Sequence, residues 1–272
     1  MKNTILFFLF SYYINAQYRD VNYVIDYDFI YVKDSLNKDF KDSERMYLFT
    51  NNKEQLFINK NSYLADSIGN DVTSLVHNKK LNIKDVYAKF GRTDNNIKLF
   101  YNNSNKNYLN QTNIALLKIN LEDYLPEIYW DLHNDEKVIK GYKVKKATTN
   151  LFGRNWEAWY TEDIPVSYGP YKFNGLPGLI LDIKDSEDFF HFEFISFAKS
   201  KSSIPKAFDS GRVKMTRIEF MDYIKKYKEN PLIVLGESNS VVRDDETFFK
   251  RKKALLELNN NSIERGIQFN LK

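Results

Sequence analysis

The sequence predicts a mainly β protein of the α+β class, formed by an antiparallel sheet or a half-open β-barrel with C-terminal helices. Short segments of alternating apolar and polar residues recur between residues 21 and 199, and a period of two is typical of strands. Breaks that contain Asn, Asp and Gly separate these segments, which favours antiparallel connections. After Ser210 apolar residues recur at steps of three, which indicates helices.

The first strand signal lies in residues 21–32. Tyr23, Ile25, Tyr27 and Phe29 fall on one side of the predicted strand, and mostly smaller or polar residues fall on the other. Runs rich in β-branched and aromatic residues predict further strands at residues 45–51, 54–60, 96–102, 113–120, 127–133, 137–149, 155–161, 179–185 and 189–199.

Two helices are predicted after the last strand. Residues 216–230 begin with a capping box, in which Thr216 is followed by Glu219 at the third position after it. The expected apolar stripe of this helix consists of Ile218, Met221, Ile224 and Tyr227. A second helix is predicted at residues 245–258, where acidic residues precede basic ones as the helix dipole favours.

The ends of the 272-residue chain predict its organisation. Residues 1–16 resemble a secretory signal peptide, with Lys2 before a short apolar run and Ala16 before the predicted cut. The alternative is a short N-terminal membrane anchor, but an apolar run of about ten residues is well below the roughly 18 that a spanning helix needs. We therefore expect no transmembrane span after cleavage. We further expect a β-rich domain at residues 17–210 and a C-terminal helical segment at residues 211–272 packed on the same domain.

Composition argues against several classes of function. The chain has 40 basic and 36 acidic residues, an excess too small to indicate a nucleic-acid partner. It has no cysteine, and its three histidines are far apart, so no zinc motif is present and we predict no metal and no cofactor. No nucleophile elbow, phosphate-binding loop or dinucleotide fingerprint occurs either.

Residues 169–185, GPYKFNGLPGLILDIKD, are rich in residues that shape the backbone. Pro177 and Gly178 predict a type II turn over residues 176–179, with Gly178 at positive φ. Between further bends, residues 171–174 are predicted to bridge a hydrophobic surface, with Lys172 on the exposed side. The predicted turn-forming residues are Gly169, Pro170, Gly175, Pro177 and Gly178.

Residues 130–185 closely resemble the GLPGLI family, a group of exported bacterial proteins named for the hexamer found here at residues 175–180. The resemblance includes a tryptophan strand, an I-x-G-Y element at residues 139–142, the Gly153–Arg154 pair, a WYT-x-x-IP element at residues 159–165 and a GP-x-x-F element at residues 169–173. Members often carry a cysteine where this chain has Val144. The resemblance implies export in a Gram-negative bacterium, to the periplasm or the cell surface, and implies no activity, cofactor or catalytic residue.

Three functions are compatible with these observations. The first is a non-catalytic binding protein for an apolar or peptide-like ligand, because aromatic strands are abundant and catalytic signatures are missing. The second is an envelope hydrolase that uses carboxylates near residues 157–185, and the third is an accessory subunit of an outer-membrane transport or adhesion system. Whether the chain is an enzyme stays open, with binding favoured. The candidate ligand-binding residues, for which core packing is the alternative, are Arg154, Trp156, Trp159, Tyr160, Tyr171, Phe173 and Leu176.

Overall fold

The structure is a computed structural model of the chain. It describes residues 18–20, 22–51, 53–64, 97–102, 106–114, 117–124, 126–200, 203–205, 211–229 and 261–264. The predicted signal peptide and the predicted helix at residues 245–258 lie outside these residues.

Strands dominate the described residues. They are β1 (Tyr18–Asp20), β2 (Tyr23–Val32), β3 (Lys41–Thr50), β4 (Glu54–Asn59), β5 (Lys98–Asn102), β6 (Asn107–Ile114), β7 (Leu117–Tyr124), β8 (Asp131–Ile139), β9 (Tyr142–Leu151), β10 (Arg154–Thr161), β11 (Leu179–Asp185), β12 (Phe190–Lys199), β13 (Ser203–Pro205) and β14 (Val213–Thr216). A helical turn at residues 60–64 follows β4, and helix α1 (Arg217–Glu229) follows β14.

Twelve strands form one open sheet in the order β14-β7-β6-β5-β4-β3-β2-β12-β11-β10-β9-β8, and β1 pairs with β13. All neighbours in the large sheet are antiparallel except β14 and β7, which are parallel. The mainly β prediction is therefore confirmed. Of the two predicted arrangements, the structure has an open sheet, and the parallel pair makes it mixed.

Two predicted strands are each divided in the structure. Of the predicted strand at residues 113–120, residues 113 and 114 end β6 and residues 117–120 begin β7, with Ile114 opposite Leu117. Residues 137–149 contain the turn between β8 and β9, where Lys140 and Gly141 have φ values of 46° and 90°. Positive φ at both central residues is what a two-residue type I′ hairpin turn requires.

The inner face of the sheet forms the main hydrophobic core. On β2, the alternation predicted from sequence is confirmed, because Ile25, Tyr27 and Phe29 are fully buried. The Phe29 ring stacks on Phe192 of β12 with centroids 4.3 Å apart. The segment at residues 162–178 covers this face and adds its own apolar side chains to the same cluster.

Helix α1 begins as the sequence predicts. The Glu219 carboxylate accepts a hydrogen bond from the Thr216 backbone N–H at 2.7 Å, and the Glu219 N–H donates to the Thr216 hydroxyl at 3.3 Å. The predicted stripe is partly wrong, because Ile218 is exposed. The residues that pack against β6 and β7 are Phe220, Tyr223, Ile224 and Tyr227, which have the spacing of one helix face.

Within the described part of the chain, no helix is both long enough and apolar enough to cross a membrane.

Candidate functional site

The candidate ligand-binding residues lie mainly in the interior. They belong to β10 and to the segment that covers the inner face, and Trp159 and Tyr171 alone among them are half-buried. The fully buried members are Arg154, Trp156, Tyr160, Phe173 and Leu176. Their side chains are therefore enclosed by the protein itself.

The two tryptophans of β10 lie on opposite faces of the sheet. Trp156 packs edge-on against Phe173 with ring centroids 4.7 Å apart, and its Nε1–H donates to the Leu151 carbonyl at 3.0 Å. On the outer face, Lys137 Nζ lies 4.0 Å from the ring centroid of Trp159, a cation–π distance.

Arg154 forms a buried ion pair that links distant parts of the chain. Its Nη1 lies 3.0 Å from Asp185 Oδ2, with both side chains inaccessible to solvent. Its Nη2 donates to the Asn261 side chain at 2.7 Å and to the Ser262 carbonyl at 2.8 Å. The other Asp185 oxygen accepts the backbone N–H groups of residues 189 and 190. These contacts give Arg154 a structural role.

Lys172 does not have the exposed position that the sequence predicts. Its ammonium group is buried and contacts the Glu264 carboxylate and the Tyr108 hydroxyl. The Tyr171 hydroxyl donates to the same carboxylate at 2.6 Å. Burial lowers the pKa of Lys172 from its usual value, and the charge of Glu264 acts against that shift.

The group formed by Lys172, Glu264, Tyr171 and Tyr108 extends to Arg217 of helix α1 and to Asp123, and we call these six residues the Lys172 cluster. Arg217 donates to Glu264 at 2.9 Å and to Asp123 at 2.7 Å, and Asp123 also accepts from the Tyr108 hydroxyl at 2.8 Å. Two cations thus face two carboxylates. The adjacent cavity of about 20 Å³ has room for a single water molecule, far below the roughly 300 Å³ of a small-molecule pocket. The cluster therefore holds the segment at residues 171–172, the sheet, α1 and residues 261–264 together.

Gly178 is not the positive-φ residue of a type II turn, and that prediction is wrong. Positive φ falls instead at Gly175, with φ of 90°. Gly178 is required for a different reason: an added Cβ would lie 1.9 Å from the Thr161 carbonyl oxygen. Tight packing of the backbone against β10 therefore explains this glycine.

The two histidines in the described part of the chain have different surroundings. His133 on β8 is exposed and bonds to the Thr148 hydroxyl at 2.7 Å. His191 lies between Asp182 and Glu193, with nitrogen–oxygen distances of 3.0 and 3.4 Å. Sequence spacing missed this group because Asp182 belongs to the neighbouring strand.

An open groove of about 570 Å³ lies at the ends of β9, β10 and β11 beside the start of β8. Most of the side chains that line it carry hydrogen-bonding groups. They are Asp131, Thr148, Thr149, Asn150, Asn155, Trp156, Glu157, Lys184, Asp185, Ser186 and Asp188. The volume lies within the range of about 300–1,000 Å³ typical of ligand sites.

The groove borders a terminal strand of the sheet. Strand β8 pairs with β9 on one side and, within the described residues, has no strand on its other side. Its pairing with β9 is interrupted by a bulge between Leu132 and Glu136. Leu132 and Val138 on β8 and Tyr129 just before it are exposed large apolar side chains.

The fold and site define an open, mostly antiparallel β-sheet protein whose inner face is covered and whose polar groove lies at one edge. A protein family described as a protein of unknown function (Porph_ging) matches residues 153–182. No curated protein matches the chain.

Among solved structures, the chain is similar to PNGF-II in two space groups. The similarity to the P21 structure has a TM-score of 0.49 at 19% identity and covers 76% of this chain and 34% of that chain. The similarity to the C2 structure has a TM-score of 0.48 at 19% identity and covers 76% of this chain and 33% of that chain. The chain spans about a third of the length of these structures.

Proposed function

We propose that this chain is an exported, non-catalytic binding protein of the GLPGLI family that holds a peptide-like ligand in the groove beside β8. In this proposal residues 1–16 are removed on export to the periplasm or the cell surface of a Gram-negative bacterium. The observation that carries the proposal is the polar groove of about 570 Å³ at the terminal strand of the sheet.

The lining of the groove suits a peptide. Amide side chains at Asn150 and Asn155 and the hydroxyl of Ser186 both donate and accept hydrogen bonds, while Lys184 only donates. A peptide backbone likewise presents N–H donors and C=O acceptors in alternation. An apolar ligand is less well matched, because the aromatic candidates Trp156, Tyr160 and Phe173 are packed into the core.

The terminal strand supports the same ligand class. Extended peptides commonly bind by adding a strand to a sheet edge, and apolar side chains next to that edge supply further contact area. Leu132 and Val138 are exposed apolar side chains of this kind, because both lie on the terminal strand β8.

The carboxylates that favoured a hydrolase are mostly engaged in ion pairs. Lys146 Nζ lies 2.9 Å from Glu157, and this hydrogen bond keeps the pKa of Glu157 below its usual value. A general acid in a glycosidase-type mechanism needs a raised pKa instead. The remaining ion pairs are Glu162 with Lys145 and Asp185 with Arg154, while Asp182 lies 3.0 Å from the Nε2 atom of His191.

The proposal is tested by selecting phage-displayed random 12-residue peptides on the immobilised chain. Affinities of selected peptides are then measured by fluorescence anisotropy. We expect Lys184→Glu and Val138→Asp each to weaken binding about tenfold or more, because one alters the groove and the other the edge strand. The matched control Lys214→Glu, on β14 at the opposite edge, leaves affinity unchanged.

Two results would overturn the proposal. One is the absence of any enriched peptide, and the other is enrichment of peptides that bind the Lys184→Glu and Val138→Asp variants as tightly as the parent.

A further inference from the structure

Three side chains with metal-ligating groups meet on the outer face of the sheet. In the pairing of β11 with β12, Asp182 lies directly opposite Glu193. His191 precedes Glu193 by two residues, so its side chain projects from the same face. The register of two central strands therefore brings together residues that are nine and eleven positions apart in the chain.

The distances place one carboxylate beside each nitrogen of the His191 ring. The Asp182 oxygen lies 3.0 Å from His191 Nε2, and a Glu193 oxygen lies 3.4 Å from His191 Nδ1. One ligand atom from each residue can be chosen so that all lie within 4.8 Å of one another. Ligands bound to Zn²⁺ at about 2.0–2.2 Å in tetrahedral geometry are about 3.4 Å apart. Because one ion takes a single ring nitrogen, the site is completed when the second carboxylate turns towards the nitrogen that faces the first.

We propose that Asp182, His191 and Glu193 bind a divalent transition-metal ion. One imidazole and two carboxylates form a nitrogen–oxygen ligand set, which suits Zn²⁺ and its neighbours better than the all-oxygen ions Ca²⁺ and Mg²⁺. The charge of the two carboxylates balances that of a divalent ion. Three protein ligands also leave a fourth position open in a tetrahedral site.

The three proposed ligand side chains are accessible from solvent. The side chains of Asp182, His191 and Glu193 are 20%, 19% and 46% exposed, so an ion can reach them. Asp28 of β2 lies opposite Glu193 and is anchored by Arg45 at 2.8 Å.

The experiment titrates the purified chain with ZnCl₂ in a non-chelating buffer by isothermal titration calorimetry. We expect one saturable site per chain, and we expect His191→Ala to weaken binding at least about 100-fold, because removal even of a residue that only supports a ligand costs roughly 10–100-fold. The matched control His133→Ala removes an exposed imidazole on β8 and leaves the affinity unchanged.

Two further variants keep the test valid if His191→Ala fails to fold. Asp182→Asn and Glu193→Gln retain side-chain size, and each is expected to weaken Zn²⁺ binding. Co²⁺ serves as a second, coloured probe of the same site, and we expect each variant to abolish the visible absorption of bound Co²⁺. Absence of a saturable site overturns the proposal. It is also overturned if His133→Ala removes binding, or if none of the three ligand variants weakens it. The outcome is independent of peptide binding in the groove.

Discussion

Position 178 leaves no space for a side chain. A Cβ there would lie 1.9 Å from the Thr161 carbonyl oxygen and 2.6 Å from its carbon, and both are backbone atoms that cannot rotate away. Gly141 is the reverse case, because its φ is 90° but nothing lies within 4 Å of an added Cβ. A comparison of alanine substitutions at the two glycines therefore separates the energetic cost of a steric contact from that of a left-handed backbone conformation.

We therefore expect Gly178→Ala to lower the free energy of unfolding by at least about 2 kcal/mol, since the covering segment must move away from β10. Gly141→Ala should cost only about 1 kcal/mol, from backbone conformation alone. Urea unfolding of both variants measures the difference. Equal losses would contradict the contact as the cause.

At the scale of elements, the β8–β9 hairpin has a turn sequence that is poorly suited to its geometry. Lys140 adopts φ of 46°, a region in which Asn is tolerated much better than Lys. Lys140→Asn should therefore raise the free energy of unfolding by about 0.5 kcal/mol, as read from thermal unfolding. The same substitution at Lys143, an exposed strand position, should lower it, because Asn is disfavoured in strands. If Lys140→Asn lowers the free energy of unfolding as Lys143→Asn does, the result contradicts the inference that lysine is unfavourable at position 140.

The sequence predicts elements best where a local pattern decides them. The alternation of β2 and the capping box of α1 both depend on residues within one element, and both are confirmed. The β8–β9 turn was missed because alternation continues on both sides of Lys140 and Gly141 and resembles one long strand. The stripe of α1 was misplaced because its packing partners on β6 and β7 are remote in sequence.

At the scale of the whole molecule, the Lys172 cluster joins segments that are far apart in the chain. Lys172→Met leaves the buried Glu264 with Arg217 as its remaining cation. We expect a loss of about 3 kcal/mol in the free energy of unfolding, typical of a broken buried ion pair. The matched control Lys145→Met breaks the exposed pair with Glu162 and should change stability by less than about 1 kcal/mol.

A double variant tests whether the pair acts as a unit. Lys172→Met combined with Glu264→Gln should cost less than the sum of the two single losses, because the uncompensated charge is removed with its partner. Chemical denaturation provides all the values. Strict additivity would show that the two side chains act separately.

The candidate site was predictable from the sequence only in part. The sequence located the backbone-shaping segment at residues 169–178, whose residues are contiguous. It placed Lys172 wrongly because Glu264, its partner, lies 92 residues away and has no local signal. The groove and the Asp182–His191–Glu193 group likewise depend on strand register, which is set by the assembled sheet.

The contacts of residues 261–264 set an order of events during synthesis. Arg154 and Lys172 emerge from the ribosome 107 and 92 residues before Asn261 and Glu264, their respective partners. At roughly 5–20 residues per second this is a delay of about 5–20 s. Burial of the Lys172 ammonium group before Glu264 has been made would leave a buried charge without its partner carboxylate, which is strongly unfavourable. We therefore expect the buried contacts of Lys172 to form only after residue 264 has been made.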